Sequence, residues 1–186
     1  MTEVEHLRLF VAARVPQERL AVLERETRAL RSSLPKARWI PTDNQHVTLK
    51  FLGRTPSDHL GEVRDVVAMA AAGRPRSECA LGALGAFPSL RRARVLWAGL
   101  DDEAAVLEGL AADLSRAFEP LGFPEEARRF TPHLTLARFK VPERLEGRLP
   151  DVPDSPAFTV DRIELMRSRL HPKGARYETL STFDLT

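Results

Sequence analysis

The chain has 186 residues, and 43% of them are hydrophobic, which is enough to fill the core of one domain or of two small lobes that share a core. Its 28 basic and 26 acidic residues leave a formal net charge of +2, which argues against a nucleic-acid coat protein or a membrane-surface binder, because both need a large field of one sign. The single cysteine, Cys79, excludes an internal disulfide and has no cysteine partner for a zinc site.

The first half of the chain predicts strands and helices in mixed order. Residues 7–14 are rich in branched and aromatic side chains, which is typical of a strand. Leucines at helical spacing predict a helix over 16–34, and an apolar stripe after capping residues predicts a second helix over 55–73. Between these helices, two short segments have the composition of strands, at 37–40 and 46–52.

The second half adds one helix and several strands that follow one another directly. Residues 77–87 and 93–100 predict paired strands, and a third helix is expected to begin at Asp101 or Asp102. Later strands are expected at 130–139, 158–170 and 175–185, with a surface loop at 142–156 and a hairpin turn at 171–174. Because strands and helices do not alternate strictly, we expect an α+β fold with mainly antiparallel sheets and a single domain over 1–186.

One tetrapeptide pattern, histidine, apolar residue, threonine, apolar residue, occurs once in each half of the chain. Side chains alternate between the two faces of a strand, so His46 and Thr48 share one face and an apolar pair lies behind them. The same reasoning places His133 and Thr135 on one face of a second strand. A purely structural role would make the histidines half-buried and the threonines ordinary strand formers, but burial alone does not require the same polar pair twice.

Two imidazoles and two hydroxyls facing one cleft suit acid–base chemistry at a phosphodiester without a metal. Imidazole has an ordinary pKa of roughly 6.5 and can give or take a proton near neutral pH, and a threonine hydroxyl can donate to a phosphate oxygen. Metal binding is the main alternative, yet threonine is a poor zinc ligand and neither histidine belongs to an H-x-H or H-E-x-x-H pattern. Neither a G-x-S-x-G elbow nor a reactive-cysteine context supports a serine or cysteine nucleophile.

Beyond the two tetrapeptides, five blocks of the sequence resemble the 2H phosphoesterases, and within them the RNA 2′,3′-cyclic phosphodiesterases, also called 2′-5′ RNA ligases. The blocks are RLFVAARVP, WIPTDNQHVTLKFLG, FPSLRRARVLWAGL, FTPHLTLAR and MRSRLHPKGARYETL. The resemblance implies a bilobal α+β fold with pseudo-twofold symmetry, in which two mainly antiparallel sheets line a central groove and the helices lie outside. Each lobe would contribute one of the two motif strands to that groove.

The resemblance also implies an activity, which is hydrolysis of a terminal 2′,3′-cyclic phosphate to a 2′-phosphate with no cofactor. His46, Thr48, His133 and Thr135 would be the four catalytic residues. We assign His133 as the base and His46 as the acid, although near-identical motifs cannot order them. The same site run backwards would join RNA ends through a 2′-5′ bond, and a non-catalytic module that binds RNA ends or nucleotides is the alternative function.

Substrate contacts are harder to assign, because two lines of reasoning disagree. Strict alternation places Lys50 and Arg129 on the histidine faces, with Lys50 extending to the rim, and turns Phe51 and Arg138 away. The family resemblance instead makes Phe51 and Arg138 the recurrent residues, and a bulge in each strand would reconcile the two. We therefore expect Phe51 to stack on a base and Arg129 and Arg138 to contact phosphate.

The N-terminal sequence MTEVEHLRLF lacks the basic start and long apolar run of an export signal, and no segment approaches the roughly 20 apolar residues of a membrane span. We therefore expect a cytoplasmic protein that does not contact a membrane. No long apolar stripe requires a protein partner, so we expect a monomer. Its partners would be RNA with 2′,3′-cyclic phosphate ends or small cyclic nucleotides.

Overall fold

A computed structural model of the chain describes residues 5–126, 128–153, 155–171 and 174–186. Within these residues the helices are α1 (Gln17–Glu26), α2 (Arg28–Ser33), α3 (Leu60–Ala71) and α4 (Val106–Phe118). The strands are β1 (His6–Ala13), β2 (Arg38–Trp39), β3 (Val47–Pro56), β4 (Ser77–Phe87), β5 (Ala93–Asp102), β6 (His133–Glu143), β7 (Phe158–Val160), β8 (Arg162–Arg169) and β9 (Arg176–Asp184).

The predicted elements are present, with changes at one strand and two helices. The segment predicted as one strand over 158–170 forms two strands, β7, which pairs with β4, and β8, which pairs with β1 and β9. The segment predicted as one helix over 16–34 is divided at Thr27, whose hydroxyl donates to the carbonyl oxygen of Leu23 over 2.6 Å. The third helix begins only at Val106, because β5 continues through Asp102. In the predicted hairpin turn at 171–174, Pro172 and Lys173 lie outside the described residues, and in the predicted loop at 142–156 the same holds for Asp154.

The strands form an antiparallel arrangement in the order β7-β4-β5-β6-β3-β1-β8-β9, with β2 paired to β6. Four strands of this order lie on each side of the boundary between β6 and β3, β2 being the ninth strand, and that boundary has one register pair, Val47 with Leu134. The predicted α+β class and its antiparallel strands are therefore confirmed, and the two sheets that the resemblance implied are joined through this pair into one sheet of nine strands. The C-terminal strands β8 and β9 return to the half that contains β1 and β3.

The two faces of the strands have different environments. In β1 the residues Leu9, Val11 and Ala13 pack into the large core, to which α1, α3 and α4 also contribute buried side chains. The alternate residues Phe10 and Ala12 belong to a small separate cluster with Met166 and Tyr177. Helices therefore cover one face of this half, while the opposite face carries a small aromatic cluster.

Among the described helices, none combines the length and the apolar character that crossing a bilayer would require.

The N-terminus of α4 is held by a side chain that comes before it. Asp102 accepts hydrogen bonds from the backbone nitrogens of Val106 (3.1 Å) and Leu107 (2.7 Å) and from the Ser77 hydroxyl (2.7 Å). These contacts satisfy helix donors that have no partner within the helix and place negative charge at the positive end of its dipole.

We expect Asp102→Ala to lower the free energy of unfolding by about 1–2 kcal/mol, because the two backbone donors lose their acceptor. Urea denaturation followed by circular dichroism measures the change. Asp101→Ala is the matched control, since it removes the same charge from the neighbouring exposed position. Equal denaturation midpoints for the two variants would show that the cap contributes nothing.

Candidate active site

Both tetrapeptides meet at one cleft with a volume of about 680 Å³. His46, Thr48, His133 and Thr135 all line it, and all four are half-buried. The remaining lining residues are Arg8, Phe10, Arg38, Trp39, Ile40, Pro41, Asn44, Phe51, Arg138, Ser168, Leu170, His171, Gly174, Ala175 and Tyr177. The fold therefore brings the two distant sequence motifs to a common, solvent-reachable surface.

The pairing of β3 with β6 explains how the motifs come together. Val47 and Leu134 are register partners, and neither has exposed surface (0% each). In an antiparallel pair, this register places position 46 opposite position 135 and position 48 opposite position 133. Each histidine therefore lies beside the threonine of the other motif, while the apolar partners are buried behind them.

The two histidines are held in the same way. Nδ1 of His46 lies 2.8 Å from the carbonyl oxygen of Asn44, and Nδ1 of His133 lies 2.6 Å from that of Thr131. A carbonyl oxygen can only accept, so these bonds assign the hydrogen to Nδ1 in both rings. In each neutral ring the other nitrogen, Nε2, carries the lone pair that is left for a ligand.

Aromatic neighbours surround His46 closely. Its ring stacks on Phe10 at 4.8 Å between centroids, and Tyr177 meets it edge-on at 5.1 Å. Burial lowers the pKa of His46 to about 4; the positive charges of Arg14 and Arg138 also lower it, and the carbonyl of Asn44 and the carboxylate of Glu164 oppose the change. His46 is therefore neutral at pH 7.

His133 lies in a different aromatic setting. Phe87 meets its ring edge-on at 5.2 Å, and Trp97 is 6.1 Å away. Burial lowers the pKa of His133, with a smaller contribution from the charge of Arg138, while the carbonyl of Thr131 acts in the opposite direction. Burial therefore lowers the pKa of both histidines, although different aromatic side chains enclose the two rings.

A bulge follows each motif and settles the orientation of Phe51 and Arg138. The partner of Thr48 is Ala12 and that of Lys50 is Val11, which leaves Leu49 as an extra residue on β3. On β6, Thr135 pairs with Trp97 and Ala137 pairs with Leu96, which leaves Leu136 extra. Each bulge reverses the alternation, so Phe51 and Arg138 both face the cleft, as the resemblance to the family implied.

The same bulge makes the prediction for Lys50 wrong. Lys50 lies on the core side and is only 2% exposed, rather than reaching the rim of the cleft. Its Nζ donates to the carbonyl oxygen of Pro124 (2.6 Å) and to the hydroxyl of Ser115 (3.3 Å), and lies 3.9 Å from Glu126. These partners satisfy a buried ammonium and join β3 to α4 and to the segment before β6.

The structure also corrects the placement of Arg129. Its guanidinium is exposed and pairs with Glu108 of α4 through two contacts, at 2.8 and 3.2 Å. It does not line the cleft, because the segment before β6 turns it toward the helix. Of the three predicted substrate-binding residues, Phe51 and Arg138 reach the cleft and Arg129 does not.

Several lining residues were not predicted from the sequence. Arg8, Arg38 and Tyr177 were not singled out. Trp39 and His171 also line the cleft, and Trp39, whose apolar strand context favours a core position, is half-buried and packs against the main core. The excess of arginine over lysine was the available signal for the arginines, but composition does not say which of them meet at one site.

Comparison with known proteins gives a consistent result. A family model described as the 2′-5′ RNA ligase superfamily matches residues 11–172. The RNA 2′,3′-cyclic phosphodiesterase of Thermus thermophilus is 32% identical over 186 residues, covering 96% of this chain and 90% of that protein. That of Geobacillus stearothermophilus is 32% identical over 184 residues, covering 95% of this chain, but the chain spans only 56% of that protein's length.

A solved structure extends the similarity to three dimensions. The crystal structure of E. coli LigT complexed with 3′-AMP superposes with a TM-score of 0.77 at 26% sequence identity. The superposition covers 98% of this chain and 99% of that chain. The similarity therefore covers both halves of the fold and the cleft between them.

Both histidines should bind a proton at a lower pH than an exposed imidazole. We expect long-range ¹H–¹⁵N spectra to show His46 binding a proton near pH 4, and the pKa of His133 to be lowered by its burial. At pH 7 both rings should show a protonated Nδ1. His46→Gln identifies the His46 signals, and a His46 titration at or above pH 6.5 would contradict the effect of burial.

Proposed function

This chain belongs to the 2′-5′ RNA ligase superfamily, and on that premise we propose that it is an RNA 2′,3′-cyclic phosphodiesterase. It hydrolyses the cyclic phosphate at the end of an RNA, or of a small cyclic nucleotide, to a 2′-phosphate. Two histidines provide the acid and the base, and no metal takes part. Support comes from the names of the Thermus and Geobacillus relatives and from the nucleotide in the LigT complex.

The observation that carries the proposal is the matched setting of the two imidazoles. Each has Nδ1 fixed by a backbone carbonyl two residues earlier, and each lines the same cleft beside a threonine. One phosphorus between two such nitrogens can receive a nucleophile on one side and release a leaving group on the other. A binding module would not need two imidazoles oriented in this way.

Hydrolysis requires two proton transfers. A neutral histidine takes a proton from water as the water oxygen bonds to phosphorus, and a protonated histidine gives a proton to O3′ as the bond from phosphorus to O3′ breaks. The bond to O2′ remains, so the products are a 2′-phosphate and a 3′-hydroxyl. Thr48 and Thr135 donate hydrogen bonds to the non-bridging oxygens as charge builds there.

The surroundings of His46 support one choice between the two roles. Burial lowers the pKa of His46 to about 4, so in our proposal this neutral imidazole acts as the base and His133 acts as the acid. From the sequence, where nothing distinguished the two motifs, we assigned the opposite roles, and a substrate with sulfur in place of O3′ distinguishes the two assignments. An anionic substrate stabilises the imidazolium form of both rings and so raises their pKa values. The pH range in which the reaction proceeds therefore moves toward 7.

Phe51 and Arg138 bind the rest of the terminal nucleotide. Phe51 is 45% exposed, and its ring faces the cleft, where a nucleobase can stack on it. The guanidinium of Arg138 is close enough to lower the pKa of both histidines, and its charge stabilises the phosphate that the histidines flank. The same site run in reverse joins a 5′-hydroxyl to a cyclic phosphate and gives a 2′-5′ bond.

Product analysis with a short RNA that ends in a 2′,3′-cyclic phosphate tests the proposed function. We expect a 2′-phosphate, formed at the same rate in excess chelator, and a loss of at least about 100-fold for His46→Ala or His133→Ala, because each removes a proton transfer. Circular dichroism checks that the variants fold. Loss of activity in chelator would favour the metal hypothesis, and tight binding of the RNA end without any product would favour the binding module.

A substrate with sulfur in place of O3′ separates the acid from the base, because a thiolate leaves without needing a proton. On this substrate we expect His133→Ala to lose less than about tenfold, whereas His46→Ala should still lose at least about 100-fold, since the base remains necessary. Steady-state rates with the oxygen and sulfur substrates provide the comparison. Rescue of His46→Ala instead would restore the assignment made from the sequence.

A further inference from the structure

The cleft carries more positive charge than one cyclic phosphate needs. Arg8, Arg38 and Arg138 line it, and none of its described lining residues is an aspartate or a glutamate. Among the described residues, no carboxylate forms an ion pair with any of these three arginines, whereas Arg129 outside the cleft is paired with Glu108. A cyclic phosphodiester has one negative charge, so a larger anion fits this surface better.

The three arginines are spread along the cleft rather than gathered at the histidines. The guanidinium of Arg8 lies 4.9 Å above the ring of Phe51. Arg138 is the register partner of Arg38 across β2 and β6. β3 and β6 are antiparallel, so they run in opposite directions from the Val47–Leu134 pair. Phe51 on β3 and Arg138 on β6 therefore lie toward opposite ends of the cleft.

The end that contains Arg38 can hold a second phosphate. Arg38 lies on the cleft face beside its register partner Arg138, whereas Trp39 is paired with the buried Ala137, packs against the main core and has Arg31 5.6 Å from its ring. Across the cleft, the turn between β8 and β9 approaches Arg38 at Gly174, where an added Cβ would lie 3.5 Å from the Nη2 atom of Arg38. The backbone at Gly174 therefore lies close to the guanidinium of Arg38.

We propose that the cleft binds two successive nucleotides of an RNA end, a specificity that rests on the proposed function. The terminal nucleoside lies with its base on Phe51 and its cyclic phosphate between the histidines. Arg38 binds the phosphodiester on the 5′ side of that nucleoside. The preferred substrate is thus an oligonucleotide end rather than a cyclic mononucleotide.

Paired substrates test this. A dinucleotide and a mononucleotide, each with a 5′-hydroxyl and a 2′,3′-cyclic phosphate, differ by one nucleoside and one phosphodiester. We expect kcat/KM of the wild type to be at least about tenfold higher for the dinucleotide, since a charged hydrogen bond of this kind is worth about one order of magnitude. Arg38→Gln should remove that preference and leave kcat/KM for the mononucleotide within about twofold of wild type.

Two controls separate the phosphodiester contact from other effects. Arg129→Gln makes the same charge change outside the cleft and should leave the preference intact. A dinucleotide with an uncharged methylphosphonate linkage should react with wild type and Arg38→Gln equally, because the charge that Arg38 binds is absent. Equal loss of both natural substrates in Arg38→Gln would show that Arg38 acts on the cyclic phosphate, and would refute the second site.

The result also distinguishes this inference from the proposed function. If the wild type hydrolyses both substrates at equal kcat/KM, the second nucleotide site is refuted while the phosphodiesterase activity is upheld. If it hydrolyses neither, the proposed function fails and the inference fails with it. A preference for the dinucleotide that persists in Arg38→Gln would refute the role of Arg38.

Discussion

The cleft depends on one pair of residues, Val47 and Leu134, at which the two halves of the fold are joined in register. Both side chains are fully buried, so the hydrophobic core fixes which face of each strand turns inward. A slip of one residue in either strand would bury a histidine and a threonine and expose apolar groups in their place. The positions of the four polar side chains are therefore a consequence of core packing rather than of contacts among themselves.

Two bulges at equivalent places extend this arrangement along the cleft. Leu49 and Leu136 each interrupt the alternation one residue after the motif threonine, and the five residues from Thr48 and from Thr135 have the same pattern of burial. The two halves differ, however, in the side chains that they present to the cleft. One half presents Phe51 to the cleft and the other presents Arg138, so a symmetric backbone can hold a base on one side and a phosphate on the other.

The surroundings of the two histidines also differ. Their backbone hydrogen bonds match, but Phe10 and Tyr177 enclose His46 more completely than their counterparts enclose His133, and desolvation disfavours the imidazolium there. A reaction that needs one base and one acid benefits from such a difference. The cleft also concentrates arginines in a chain of nearly balanced charge, so the field that attracts an anion is local.

The sequence by itself determined most elements, the antiparallel class and the four motif residues, because strand alternation and helical spacing are local properties. In the second motif the bulge could be read from the sequence, because the apolar positions change from even numbers, 134 and 136, to odd numbers, 137 and 139. In the first motif Phe51 is apolar although it faces the cleft, so the same change is hidden. Only the tertiary structure decided that Lys50 is buried, that Arg129 pairs with Glu108 and that burial lowers the pKa of His46. Each of these depends on neighbours distant in the chain, whose charge and burial no local pattern records.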